Sequence, residues 1–367
     1  ADRPTPSNPI VTFSTARREA PDDTTQDISI SLAQEFWIAG QGGLMENAAG
    51  ARTRSARAEL DFLQTATAAR TRRAFLRSLV AQEGVRTAER AVALAEDLAG
   101  YAERRLEAGA ATALTLNTAE IARGRANLRL AMAKREDRRA MLALLELLGT
   151  DPSYGLTLRG EIEMPEITIP APQRLLEAAV TRRGDLAAAA ERVVAAREEL
   201  RLAKRQIIPN LTVFGLYEQE ERADIVGGGL AFSLPVLHRY SGERQTARSS
   251  LRESQLARDQ LVLALRIEVL RALSDYRNAR AAVAAVGETA LAKAEENVRL
   301  LQRSLSAGKV GAPAITTAQD NLLNVRRDYL DALRDLVDAA TALERATGGL
   351  IHVAPATQPS SGGQEDN

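Results

Sequence analysis

The sequence predicts a mainly α protein with embedded β structure: long helical hairpins joined to a transmembrane β-barrel to which each chain gives four strands, closed as a trimer. Three observations predict it. No proline interrupts the chain from Asp22 to Asp151 or from Val236 to Ala312, and proline is the residue a helix interior excludes. Short segments of strict two-residue alternation precede each long rod within or beside these spans. Finally, the chain repeats itself about 199 residues apart: RRLEAGAATALTLNTAE from Arg104 aligns with RSLSAGKVGAPAITTAQ from Arg303, placing Gly109 on Gly308, Gly149 on Gly348 and Gly43 on Gly242. So long a period indicates a duplicated architectural unit rather than a solenoid repeat.

The first repeat covers 1–160. Its β-hairpin, 9–37, pairs IVTFSTAR (Ile10 to Arg17) with DISISLA (Asp27 to Ala33) through an acidic turn. A helical hairpin follows at 44–149, its outgoing rod running from Leu44 to Glu107, roughly 95 Å at about 1.5 Å per residue. Gly109 ends the rod because glycine reaches left-handed dihedrals without steric cost, and a second helix returns from near Thr112. Pro165, Pro170 and Pro172 mark a linker at 161–172. The second repeat, 173–350, adds a leading helix (173–207) that the first lacks. It continues with a β-hairpin at 210–236, where LTVFGLYE (Leu211 to Glu218) pairs with GLAFSLPV (Gly229 to Val236), and a helical hairpin at 244–348 with Leu256, Leu263, Leu270 and Leu273 along one stripe. A polar tail, 351–367, reads as disordered.

Composition narrows the function. Forty-eight basic residues balance 48 acidic ones, so the chain as a whole has no basic field for nucleic acid. There is no cysteine, hence no disulfide framework or thiolate metal site. No apolar run is long enough for a transmembrane helix, and no signal peptide is present, as expected of a processed chain. The two histidines, His238 and His352, are separated by the whole second hairpin and support neither a metal site nor a nucleophilic triad. Gly227 to Gly229 lead into a strand, unlike a phosphate loop, and read as lumen-facing strand positions. The expectation is a protein that is not an enzyme and carries no cofactor.

The strands place Ile28, Ile30, Leu32, Leu230, Phe232 and Leu234 on one face, opposite Ser, Gly and Ala. Such alternation fits a small sheet packed on a helix, and equally a barrel wall with lipid outside and water inside. In lipid every strand edge must be paired. Four strands cannot enclose an aqueous lumen and eight give a bore filled by side chains, so twelve strands, from three chains, are expected. Trp37 and Tyr240 would lie at one interface and Tyr217 at the other. The two hairpin tips combine glycine with apolar residues: Gly109, Ala113, Leu114 and Leu116 in one, Gly308, Lys309, Val310, Gly311, Pro313 and Ile315 in the other. They read as a docking surface for a partner's helical hairpin, or simply as tight turns.

Together the strand starts (SNPIVTF, IPNLTVF), the strand-to-rod turns (AQEFWIAGQGG, FSLPVLHRYSGE) and the paired tips resemble the TolC-like outer-membrane efflux factors, with the AQEF…GQGG turn closest to the branch serving heavy-metal resistance-nodulation-division pumps. The resemblance runs from Ser7 to Gly349. It implies a homotrimer in the outer membrane of a Gram-negative bacterium, its β-barrel continuing into a periplasmic α-barrel, and 161–172 would be an equatorial linker. It also implies a passive exit duct fed by an inner-membrane pump through a periplasmic adaptor, with no nucleic acid involved. Two departures stand out. The missing first leading helix suggests a natural N-terminus lying upstream. The family's paired tunnel aspartates align with Ala314 and Thr317, leaving Asp320 as the candidate pore constriction. Competing readings are a soluble coiled-coil scaffold or periplasmic adaptor, and a type I protein secretion duct.

Overall fold

In the computed structural model, residues 5–20, 23–153, 155–160, 168–220, 223–236, 239–306, 310 and 312–351 are described. In chain order they form β1 (Ile10–Ala20), β2 (Asp23–Phe36), α1 (Gln41–Glu107), α2 (Ala113–Leu148), α3 (Pro172–Arg182), α4 (Gly184–Arg205), β3 (Leu211–Glu220), β4 (Ala223–Phe232), α5 (Ser241–Ala284), a π-helical segment (Ala285–Leu291), α6 (Ala292–Ser306) and α7 (Ala312–Ala346). No described helix is long and apolar enough to cross a membrane.

The four strands make one antiparallel sheet in the order β1-β2-β3-β4. The strands are longer and placed differently from the sequence expectation. β1 and β2 extend to within two residues of each other, and β4 begins at Ala223 and ends at Phe232, so Leu234 lies past the strand rather than in it. Ala223 and Asp224, which look like turn, are in fact ladder, and Gly227 to Gly229 lie within β4.

Contacts divide the chain into two compact units, Ala1–Asp61 with Gly184–Leu263, and Phe62–Arg183 with Ala264–Asn367. The sequence halves therefore do not fold as separate bodies: each unit combines parts of both repeats, because the division falls inside α1 and α5 rather than at the proline-rich linker. In the first unit, α1 and α4 approach through small residues, with Ala48, Ala51, Ala188, Ala195 and Ala196 buried and the Ser55 hydroxyl donating to the Ala188 carbonyl at 3.0 Å. Arg54–Glu191 (3.0 Å) and Arg192–Glu59 (2.7 Å) flank that seam.

The second unit holds the larger core, built from Leu76 and Leu79 of α1, Leu175 and Ala179 of α3, Val269, Leu273 and Tyr276 of α5, and Val337 and Leu343 of α7. Leu273 belongs to this core, whereas Leu256, Leu263 and Leu270 of the same expected stripe are exposed.

Three expectations about helices need correction. The leading helix expected at 173–207 breaks at Arg183, whose backbone is extended (φ −75°, ψ 119°). The break lets the buried Arg183 side chain bond Glu268 at 2.7 Å and lie 5.3 Å over the Phe62 ring. The outgoing helix of the hairpin expected at 244–348 is interrupted by the π segment, where the Tyr329 ring packs so closely on Gly287 that a Cβ there would be 2.6 Å from Cε2. The single 199-residue register also slips: α1 and α5 start 200 residues apart, each after a residue with positive φ, Gly40 (71°) and Tyr240 (53°).

Candidate channel wall and docking tip

Pairing register decides which side chains share a face, since one residue of slip would invert them all. Val11 and Phe13 of β1 face Leu32 and Ile30 of β2, and Ile30 and Phe36 face Tyr217 and Leu211 of β3. Val213, Tyr217 and Leu211 in turn face Leu230, Val226 and Phe232 of β4. Most apolar residues of the four strands thus lie on one side, with Ile28 half-buried among them. The opposite side carries Thr12, Ser14, Ser29, Ser31, Ala33, Thr212, Gly227, Gly229 and Ala231, interrupted by Ile10, Phe214, Leu216 and Ile225.

Nothing described in the chain covers the apolar side: Val11, Phe13, Ile30, Leu32, Val226, Leu230 and Phe232 are all exposed, Val226 at 81%. Burial of one such side chain is favourable by about 1.5–3 kcal/mol, so a face this large left in water would be a liability. The outer edges of β1 and β4 are likewise unpaired among the described residues.

A polar cluster fixes where the wall meets the rods. Gly40 takes the left-handed turn that ends β2, and the Gln41 side chain, buried at the start of α1, accepts from the Ala39 N–H at 2.8 Å and donates to Asn210 Oδ1 at 3.3 Å. Asn210 Nδ2 donates to Glu35 Oε1 at 2.8 Å, and Arg205 donates to the Ala39 carbonyl at 3.2 Å. These bonds tie the end of β2 to the start of β3. Sequence reasoning had the AQEF…GQGG turn but not these individual roles; a glutamine between glycines at a strand-to-helix turn was the available signal.

At the first tip, α1 ends in a Schellman motif: Gly109 has φ 68°, its N–H donates to the Leu106 carbonyl (2.9 Å), and the Ala110 N–H donates to the Arg105 carbonyl (2.8 Å). Thr112 then caps α2, its hydroxyl accepting from the Thr115 N–H at 3.4 Å. Ala113 and Leu114 are exposed, Leu114 at 75%, and Leu116 is half-buried.

At the second tip only part of the expected set is described, and Ile315 is placed differently from expectation. Gly308, Lys309 and Gly311 lie outside the described residues, as do His238 and His352. Val310 is half-buried, and Pro313 lies in the first turn of α7. Ile315 is 3% exposed: it packs inward on α7 and offers no surface to a partner. Asp320 is exposed on α7, while Gln319 beside it is buried with no hydrogen-bond partner for Oε1.

Charges elsewhere in the second unit join α1 to α7. Arg77 and Arg73 converge on Asp338, with Nε–Oδ1 distances of 2.6 and 2.7 Å, and Arg72 pairs with the buried Glu344. Burial pushes the Asp338 carboxyl up, but the hydrogen bonds and charges of Arg77 and Arg73 outweigh it and hold the group below the usual carboxylate value. The bond to Asp338 raises the Arg77 guanidinium further. Asp137 on α2 shows the reverse: burial raises it, and its Oδ1 has no partner. Among the described residues no three His, Asp or Glu side chains converge as a metal site.

The family model for outer membrane efflux proteins matches residues 175–349. The cobalt-zinc-cadmium resistance protein CzcC of Cupriavidus metallidurans is 28% identical over 338 residues, covering 89% of this chain and 79% of its own. Over residues 175–349 the chain is therefore similar to the outer membrane efflux proteins. Among solved structures, the outer membrane protein VceC of Vibrio cholerae superposes with a TM-score of 0.75 at 18% identity, covering 93% of this chain and 87% of VceC. The open-state MtrE outer membrane channel of Neisseria gonorrhoeae gives 0.77 at 17%, covering 93% and 80%. These share the fold of this chain, mostly helical with a four-stranded sheet. The matched family is one of outer membrane efflux proteins, a transport role for which no catalytic residues are needed.

Proposed function

We propose that three copies of this chain close a twelve-stranded barrel in the outer membrane of a Gram-negative bacterium, with the helices in the periplasm. Cargo from an inner-membrane pump enters through an adaptor docked on the tips. The observation that carries this reading is the sheet register, which gathers the apolar side chains of four strands on one uncovered face and leaves both outer edges unpaired. Lipid covers such a face, and only neighbouring copies satisfy such edges.

The helices support the same assembly. On α2, Ile121 and Leu128 stand seven residues apart and are both exposed, and on α5 Leu256, Leu263 and Leu270 recur every seven residues, all exposed. A seven-residue apolar stripe is the seam of one helix against another, and these stripes suit the helices of adjacent copies. Leu114, Ala113 and the Gly109 turn form the adaptor-facing tip, joined by Val310 and Pro313. Asp320 lies at the pore constriction.

For cargo we favour divalent transition-metal cations, on the strength of the likeness to CzcC. A duct needs no ligand set for them, since tight binding would slow conduction. The test is complementation in a bacterium deleted for its own metal-efflux duct. Expression of this chain should restore growth on cobalt, zinc and cadmium, and Leu114→Arg should abolish it while the trimer remains in the outer-membrane fraction. An assembled wild-type trimer that restores no tolerance refutes the cargo; a fully active Leu114→Arg variant refutes the docking tip.

A further inference from the structure

One aromatic side chain interrupts the polar face of the sheet. Phe214 of β3 stands directly opposite Gly229 of β4 and beside Ala33 of β2. Its ring lies across the glycine so closely that a Cβ on Gly229 would sit 2.8 Å from Cζ and 3.0 Å from Cε1. Leu216 and Gly227, the next pair on this face, repeat the arrangement with looser contacts of 3.5–3.8 Å. Neither glycine has positive φ. The backbone therefore does not call for glycine at 229; the space above it does, as in cross-strand pairs where an aromatic ring covers a glycine.

We infer that Phe214 lines the bore of the assembled channel and that Gly229 is the recess in which its ring is parked, so that this pair sets the free width at its level. The inference rests on the trimeric barrel reading above. In that assembly three rings occupy one level of a lumen otherwise lined mainly by small side chains. Lying along the wall they leave the bore open; lifted from it they project inward. A contact of 2.8 Å is far inside the 3.5–4.0 Å of favourable carbon packing, and the ring tip is the movable partner. A methyl group at 229 displaces the ring toward the water rather than the strand.

The chain's single tryptophan makes this measurable. In a Trp37→Phe background, Phe214→Trp and Phe13→Trp place reporters on the polar and apolar faces, and both are read in vesicles with brominated acyl chains and with added iodide. The Phe214→Trp reporter should be quenched by iodide and spared by brominated lipid, and the Phe13→Trp reporter the reverse. Adding Gly229→Ala should raise iodide quenching of the Phe214→Trp reporter about twofold, because a ring lifted from the wall exposes both faces instead of one. Quenching of that reporter by brominated lipid would overturn the bore assignment, and indifference to Gly229→Ala would overturn the recess. If neither reporter senses brominated lipid, the barrel reading itself fails and takes this inference with it. Should Gly229→Ala not assemble, Phe214→Ala combined with Gly229→Ala must, since the clash is then gone; failure of the double variant also overturns the recess.

Discussion

Ile30 and Ser31 are neighbours near the midpoint of β2, and the register sends them to opposite faces: Ile30 opposite Phe13 and Tyr217, Ser31 opposite Thr12 and Leu216. If the apolar face meets hydrocarbon, Ile30→Arg buries a guanidinium near the bilayer midplane at a cost of about 2–4 kcal/mol per chain. That corresponds to a factor of roughly 30 to 900 in the folding constant. Ser31→Arg, one residue away, faces water and should cost less than about 0.5 kcal/mol. The assay is refolding into lipid vesicles across a urea series, followed through Trp37, which adjoins the end of β2, and through the yield of folded oligomer. Equal losses for the two variants, or a larger loss for Ser31→Arg, would refute the face assignment.

The second unit's core makes a simpler demand: Leu343 is fully buried, so Leu343→Ala should lose about 2–5 kcal/mol by urea unfolding, while exposed Leu114→Ala should stay within about 0.5 kcal/mol. Asp338 has its folded pKa depressed, so its contribution is present above the unfolded value and is lost as pH falls through the folded one. Asp338→Asn should therefore flatten the loss of stability below about pH 4 in an acid titration. Asp137 is shifted the other way by burial: its charge opposes folding once pH rises past the ordinary carboxylate range, and Asp137→Asn should raise the urea midpoint at pH 7 while leaving it unchanged at pH 3. Gly109→Ala forces a side chain into φ 68° with open space around it, so a loss of about 1 kcal/mol with no change in oligomeric state is expected in thermal unfolding.

What the sequence disclosed and what it hid divides along the range of the interactions involved. Two-residue alternation in DISISLA and the glycine after the long rod are local signals, and β2 and the Gly109 turn follow them. The strand ends were misplaced because Ala223 and Asp224 have turn-like composition but gain ladder bonds from a partner strand. The break at Arg183 had a local hint, Gly184 followed by Asp185, yet its cause is the distant Glu268 and Phe62. The π segment reads as ordinary helix, since what distinguishes it is Tyr329 seated on Gly287. Ile315 looked like a tip residue by its place after Gly308, but helix phase turns it inward. The bonds from Arg73 and Arg77 to Asp338 span more than 260 positions and leave no trace in local pattern.

The most direct test of the whole reading is the mass of the detergent-solubilised protein, measured by native mass spectrometry or light scattering with the detergent contribution subtracted. Three chain masses, each 39.6 kDa, in a particle that precipitates when detergent is withdrawn, is the expected result. A stable single-chain species in plain buffer would contradict it, because the uncovered strand face and the two unpaired edges would then have needed neither lipid nor neighbours.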